Sequence, residues 1–291
     1  MKDLAITISL YNRWLELGGL LELLRLNWKG GRDLHIIVIS TASEDEFPNW
    51  IDRKMIDHIE FGSRFPMPNF KNDPFFREHF IGRNLSKIPY LGDYLLARQR
   101  KKLKKITRSR TVDSFIRGGI RGIESGRAYT LHLHAATWPF REDKVYEITD
   151  MMKNNNYIFA CRGFGKKLVS EKLPSGDIDD NFFIIDNNFA SKTNFWNFDP
   201  GLDAETISNE GRLARRVYEK CPEDKIYFFD NFSNPNDYIF PEGTTPRRVQ
   251  PFNYFKPMGL LRSHDLRKQA ELCQRFKLKG PIIENIIEDN I

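Results

Sequence analysis

No apolar run in this chain approaches the roughly 20 residues that a helix needs to cross a bilayer. The first residues run straight into a short apolar strand, without the basic stretch and cleavable apolar segment of a secretory leader. The expectation is a cytoplasmic protein with no transmembrane segment. Cysteine is scarce too: Cys161, Cys221 and Cys273 lie far apart, form no C-x-x-C pair and leave one odd thiol in any disulfide scheme. That excludes a disulfide scaffold and points to buried thiols in a reducing compartment. There is no internal repeat and no low-complexity block, which excludes a solenoid and a linker-joined array.

What is there suits one compact unit. The 291 residues, 40% of them apolar, are enough for a single large α/β core. The formal charge of +6 is unevenly spread. Arg98, Arg100, Lys101, Lys102, Lys104, Lys105, Arg108 and Arg110 crowd one stretch. Such a run is either a solvated helix face or a surface for a polyanion, nucleic acid or an anionic membrane being the two candidates.

Periodicity gives the order of elements. Ala5 to Leu10 reads as a strand, and Trp14, Leu17, Leu21, Leu24 and Trp28 follow at helical spacing. Asn12 is placed to cap that helix, Gly30-Gly31 to end it, and His35 to Ile39 to form a second buried strand. The opening is therefore a βαβ unit with parallel strands. From about residue 60 to 110 four prolines break the pattern, and the segment reads as an inserted lid that ends in the basic run. A helix through Val112, Phe115, Ile116 and Ile123 leads by way of Gly126 to a strand from Tyr129 to His134. Then come a helix from about Glu142 to Lys153, a strand from Tyr157 to Cys161, an acidic loop with Asp177, Asp179 and Asp180, and the apolar run Phe182 to Ile185. A helix from Thr206 to Tyr218, a strand from Ile226 to Phe229 and a closing helix from about Asp265 to Phe276 complete the chain. The division expected is a core over residues 1–203 and an extension over 204–291 that packs on its acceptor side.

Three of these segments carry a resemblance. Ser9-Leu10-Tyr11-Asn12-Arg13, Ser40-Thr41-Ala42-Ser43-Glu44-Asp45 and the strand from Tyr129 into His134-Ala135-Ala136 occur in that order. In order and spacing the chain resembles the inverting, family-2-like nucleotide-sugar glycosyltransferases of GT-A fold. That family's second-strand signature usually reads Asp-Asp-Gly-Ser-x-Asp, of which Ser43 and Asp45 keep the last two polar places, while Ser40 replaces the usual base-reading carboxylate. The resemblance implies an α/β fold with a mostly parallel central sheet flanked by helices. It also implies a nucleotide sugar, with a UDP-sugar favoured, bound at the strand ends by Ser9, Tyr11, Arg13, Ser40, Ser43, Asp45, Arg117 and His134.

The chemistry has one gap. The family's Asp-x-Asp, which holds Mn²⁺ or Mg²⁺ against the leaving diphosphate, is replaced at His134-Ala135-Ala136. His132 and His134 share one strand face, and imidazole suits hard Mg²⁺ poorly. The resemblance implies His264 as the late metal-binding histidine, with His134 second. Failing a metal, Arg13, Arg110, Arg117 or Arg262 could neutralise phosphate. Inversion needs a carboxylate to take the acceptor proton, and Asp180, then Asp179, are the candidates for it. Their plain alternative is an acidic turn that caps the next element. Trp138, Phe140, Trp196, Tyr254 and Phe255 could stack on an acceptor, and Lys101, Lys102, Lys104 and Lys105 suit a polyanionic one, DNA included. The reactions open at this point are transfer to a glycan precursor, transfer to a hydroxymethylated DNA base, and no reaction at all in a scaffold that only binds nucleic acid or a partner.

Overall fold

The computed structural model describes residues 3–10, 13–65, 91–135, 137–163, 178–204, 206–229 and 270–290. Seven strands form one sheet: β1 (Leu4–Leu10), β2 (His35–Ser40), β3 (His58–Glu60), β4 (Tyr129–His134), β5 (Phe159–Gly163), β6 (Ile178–Asp186) and β7 (Ile226–Phe228). Their order across the sheet is β3-β2-β1-β4-β6-β5-β7. Every adjacent pair is parallel except the two made by β6, which runs against both β4 and β5. The α/β class and the mostly parallel, helix-flanked sheet of a GT-A-like fold are present.

Sequence pattern explains the layering. In β1, Ile6, Ile8 and Leu10 face α1 (Trp14–Glu22), whose Leu17, Leu20 and Leu21 are fully buried against them. Side chains of this kind each contribute about 1.5–3 kcal/mol when taken out of water. The opposite face carries Thr7, which lies against Gly118 of α2 (Leu91–Glu124), a helix of 34 residues. Along α2, Val112, Phe115 and Ile116 join Phe159, Phe183 and Ile185 of the sheet in a second core. Leu213, Ala214 and Val217 of α5 (Asn209–Lys220) close that core from outside. Further helices are α3 (Glu142–Asn155), α4 (Asn187–Lys192) and α6 (Pro281–Asn290), and residues 270–275 are helical within the expected closing helix. Gly122 lets α2 lie close to the sheet, since a Cβ there would sit 2.1 Å from Thr130 Oγ1.

The C-terminal segment is part of the core. Ala270, Leu272, Cys273, Ile283 and Ile286 are buried with the first-strand residues. Glu22, only 1% exposed, caps α6 by accepting the backbone N–H of Ile282 at 3.0 Å and of Ile283 at 2.8 Å. Asn27 adds a reciprocal pair, donating to Lys279 O and accepting from Lys279 N, both at 2.8 Å.

Several expectations change. The basic run does not end a broken lid: it lies within α2, because from Asp93 to Arg117 the chain has no proline or glycine and is rich in Leu, Lys and Arg. Residues 66–90 of that segment lie outside the described residues. The acidic loop is shorter than expected, since Asp179 and Asp180 already belong to β6. Asn12 lies outside the described residues, and Arg13 occupies the N-cap position of α1 without a side-chain cap. Helix α6 was not expected. All three cysteines are buried and free. Among the described residues no helix is long and apolar enough to cross a membrane.

Candidate active site

The connections define one crevice. From β1 the chain moves outward on one side, to β2 and β3, and then returns along α2 to β4 on the other side of β1. Between the C-terminal ends of β1 and β4 the winding reverses, and in open α/β sheets ligands bind at such a point. Because β6 is antiparallel, its first residues, Ile178 to Asn181, reach the same edge.

Polar groups gather here although the edge is largely closed to solvent. Ser9 and His134 are register partners on β1 and β4, and Ala135 N donates to Ser9 O at 3.0 Å. Ser9 is 2% exposed, and its Oγ has no hydrogen-bond partner among the described residues. Thr137, fully buried in the turn that follows β4, has an Oγ1 in the same condition, while its N–H donates to His134 O at 2.7 Å. A buried hydroxyl left unsatisfied costs about 1–3 kcal/mol, so each of the two marks a place suited to a further polar group. Arg13 faces Glu16 at 3.6 Å, longer than a charge-assisted hydrogen bond. Dense surroundings, then the positive charge of Arg13, push the pKa of His134 below the ordinary histidine range, although its ring keeps partial contact with solvent. That imidazole is neutral at pH 7.

Arginines frame the edge. Arg110 reaches from α2 to donate to Thr41 O and Phe65 O, which fixes it above the ends of β1 and β2. Beside β6, Asp180 is 6% exposed and accepts from Asn181 Nδ2 at 3.1 Å. Arg212 of α5 lies within electrostatic reach of Asp180, and burial pushes the Arg212 pKa down to about 10. Its guanidinium donates to the backbone oxygens of Pro200 and Arg108.

Other expected residues are placed elsewhere. Arg117 donates to Glu60 at 2.8 Å and to the carbonyls of Phe61 and Gly62, so it fastens the chain after β3 to α2 instead of facing phosphate. Trp138 is wholly buried, with Nε1 shared between Glu16 O and Ala135 O at 3.2 Å, which makes it core and not an acceptor platform. Phe140 and Trp196 are buried likewise. Ser40, also buried, accepts from Ala42 N at 3.1 Å and so shapes the turn. Ser43 donates through N and Oγ to Glu46, capping a short turn with Asp45 exposed inside it. Lys101, Lys102 and Lys104 belong to α2, and Lys105 is exposed on it. Tyr11, Asp177, Tyr254, Phe255, Arg262 and His264 lie outside the described residues.

Among the described residues the donor set does not fit a divalent cation. Among the described residues no three His, Cys, Asp or Glu side chains converge to hold a metal. His132 is sealed in the core, its ring stacked on Phe183 at 4.8 Å and edge-on to Phe115 at 4.6 Å, with Nδ1 3.0 Å from Thr7 Oγ1. His134 has a guanidinium for a neighbour, which repels a dication. The open depression lined by Asp3, Tyr129, Tyr146, Asp150 and Lys153 lies at the opposite, N-terminal ends of β1 and β4, away from these groups.

No protein-family model matches the sequence. No curated protein matches it either. Among solved structures, the chain is similar to core-mannan synthase A (CmsA/Ktr4) from Aspergillus fumigatus in its Mn/GDP form. The identity is 13%, over 89% of this chain and 82% of that one, with a TM-score of 0.47. It is similar to the mannosyltransferase Ktr4p from S. cerevisiae in complex with GDP at 11% identity, over 89% and 78% of the two chains, with a TM-score of 0.44. A cytidylyltransferase from Leptospira borgpetersenii is similar at 9% identity, over 81% and 79%, with a TM-score of 0.43. At such identities and scores no residue role passes from those proteins to this one.

Proposed function

We propose that the chain is a glycosyltransferase that moves a sugar from a nucleotide-diphosphate sugar to an acceptor hydroxyl with inversion. One observation carries the reading: at the switch point two buried, unpartnered hydroxyls, Ser9 Oγ and Thr137 Oγ1, flank neutral His134 beside Arg13, with Asp180 at the same edge. A sugar diphosphate offers hydroxyl and phosphate oxygens to the two side-chain hydroxyls and negative charge to Arg13. In the reaction the acceptor oxygen forms a bond to the anomeric carbon as the bond from that carbon to the phosphate oxygen breaks. The electron pair leaves with the nucleoside diphosphate, and the acceptor proton goes to the Asp180 carboxylate. Asp179, its neighbour on β6, is the alternative base, and a UDP-sugar is the first donor to try.

A glycan precursor is the acceptor we favour over a hydroxymethylated DNA base. Arg108 and Arg110, the last two cations of the basic run, turn inward to Ala204 O, Phe65 O and Thr41 O, which removes them from a surface that could follow a phosphate backbone. The test is transfer from a panel of labelled nucleotide sugars by wild type and Asp180→Asn. The expected result is turnover with at least one donor and a loss on the order of 100-fold or more in the variant, with donor binding kept. Binding without turnover in wild type, unchanged in the variant, would instead favour a scaffold that holds its ligand without chemistry.

A further inference from the structure

We infer that this chain holds the leaving diphosphate without a divalent metal, seating it on Arg13 and the first turn of α1, with Ser9 Oγ and Thr137 Oγ1 as hydrogen-bond partners. The inference rests on the glycosyltransferase reading above and specifies how that site takes its ligand.

Three features of this sheet edge support it: the helix N-terminus, Arg13 and two buried hydroxyls. The nine-residue helix α1 starts at the sheet edge, and its N-cap residue supplies no side-chain cap, so the N–H groups of its first turn point toward the crevice. That terminus carries the positive end of the helix dipole, and Arg13 adds a full charge at the same place. Two hydroxyls on residues at most 2% exposed lack partners, one on the strand before the helix and one in the turn after β4. A hydroxyl both donates and accepts, so these can bond to phosphate oxygens as donors, which a metal-ligand site of carboxylates could not do.

Among the described residues the balance of charge at this spot disfavours the usual alternative. A dication bound between β1 and β4 needs carboxylates to offset desolvation, and the turn supplies His134, Ala135 and Thr137 in their place. Glu16 is paired with Arg13 at 3.6 Å. A diphosphate arriving alone meets a guanidinium, a helix N-terminus and two donors. A diphosphate arriving with Mn²⁺ brings the metal against that same guanidinium.

The experiment is calorimetric titration of the full chain with UDP, GDP, ADP, CDP and dTDP, once in excess EDTA and once in Mn²⁺. Affinity for the preferred nucleotide should agree within about threefold between the two buffers. Arg13→Gln should weaken it about tenfold or more in both, and Arg13→Lys should recover part of the loss. The melting curve of each variant reports its folding, and the wild-type comparison needs no variant at all. Binding that appears only with Mn²⁺ would overturn this inference and leave the glycosyltransferase reading standing. Equal binding by Arg13→Gln would overturn the assignment to Arg13. If none of the nucleotides binds in either buffer, both readings fall together.

Discussion

At the scale of single residues, buried polar groups say most. His132 is 1% exposed between two phenyl rings, and burial drives its pKa down to about 3. The unfolded chain takes up a proton near pH 6.5 that the native state refuses, so stability falls as pH drops from about 6.5 towards 3. His132→Phe removes that proton uptake and keeps the aromatic packing. Below pH 6.5 the variant should gain on wild type by about 1 kcal/mol per pH unit in urea unfolding, a slope set by the cost of one proton refused over that window. Equal slopes for the two proteins would show that the ring is protonated in the fold. Ser9, Arg13 and His134 were legible only through the resemblance, and it is the structure that makes Ser9 and His134 register partners. Thr137 was not legible at all, since a threonine in a short turn has no periodicity to betray it. Trp138 misled for the opposite reason: large aromatics look alike in a sequence whether they fill a core or line a cleft.

At the scale of elements, the attachment of α6 is the feature that a composition-based reading could not supply. Glu22 is the last residue of α1, buried there, and burial pushes its pKa up against the pull of two backbone N–H bonds. Glu22→Ala leaves the N–H groups of Ile282 and Ile283 without acceptors and should cost about 1–2 kcal/mol. Limited proteolysis should then cut within 279–290 well before the sheet is attacked. Uniform resistance would mean that apolar contacts alone hold the helix. The long α2 was half legible: its second half showed an apolar stripe, whereas its first half showed only charge, which reads equally as a solvated coil. The reversed direction of β6 had no signal either, because a run such as Phe182 to Ile185 is buried on both faces whichever way it points.

At the scale of the whole molecule, the α/β class and the parallel opening followed from alternation between short apolar runs and amphipathic helices. What the pattern could not give was which strand ends meet, and that decides where chemistry is placed. An ion-pair cluster ties the outer strands to α2: Glu60 accepts from Arg117 and Arg121 and lies 3.3 Å from His58, and despite partial burial its pKa is drawn down to about 2 by the two guanidinium groups. With the folded value below the ordinary 4.5, this carboxylate contributes stability above pH 4.5 that is lost as pH falls towards 2. Glu60→Gln should therefore lower the melting temperature at pH 7 more than at pH 3. Equal shifts at the two pH values would count against an ionic role. Gly122→Ala, which sets a methyl 2.1 Å from Thr130 Oγ1, should lower the melting temperature at every pH by forcing α2 off the sheet.

Amide hydrogen exchange with and without the preferred nucleotide sugar asks directly which edge of the sheet takes the ligand. Slowed exchange at residues 13–17 and 134–138, with no change around Asp3, Tyr129 and Asp150, is the result expected of a switch-point site. Protection confined to those last residues, at the other end of the strands, would contradict it.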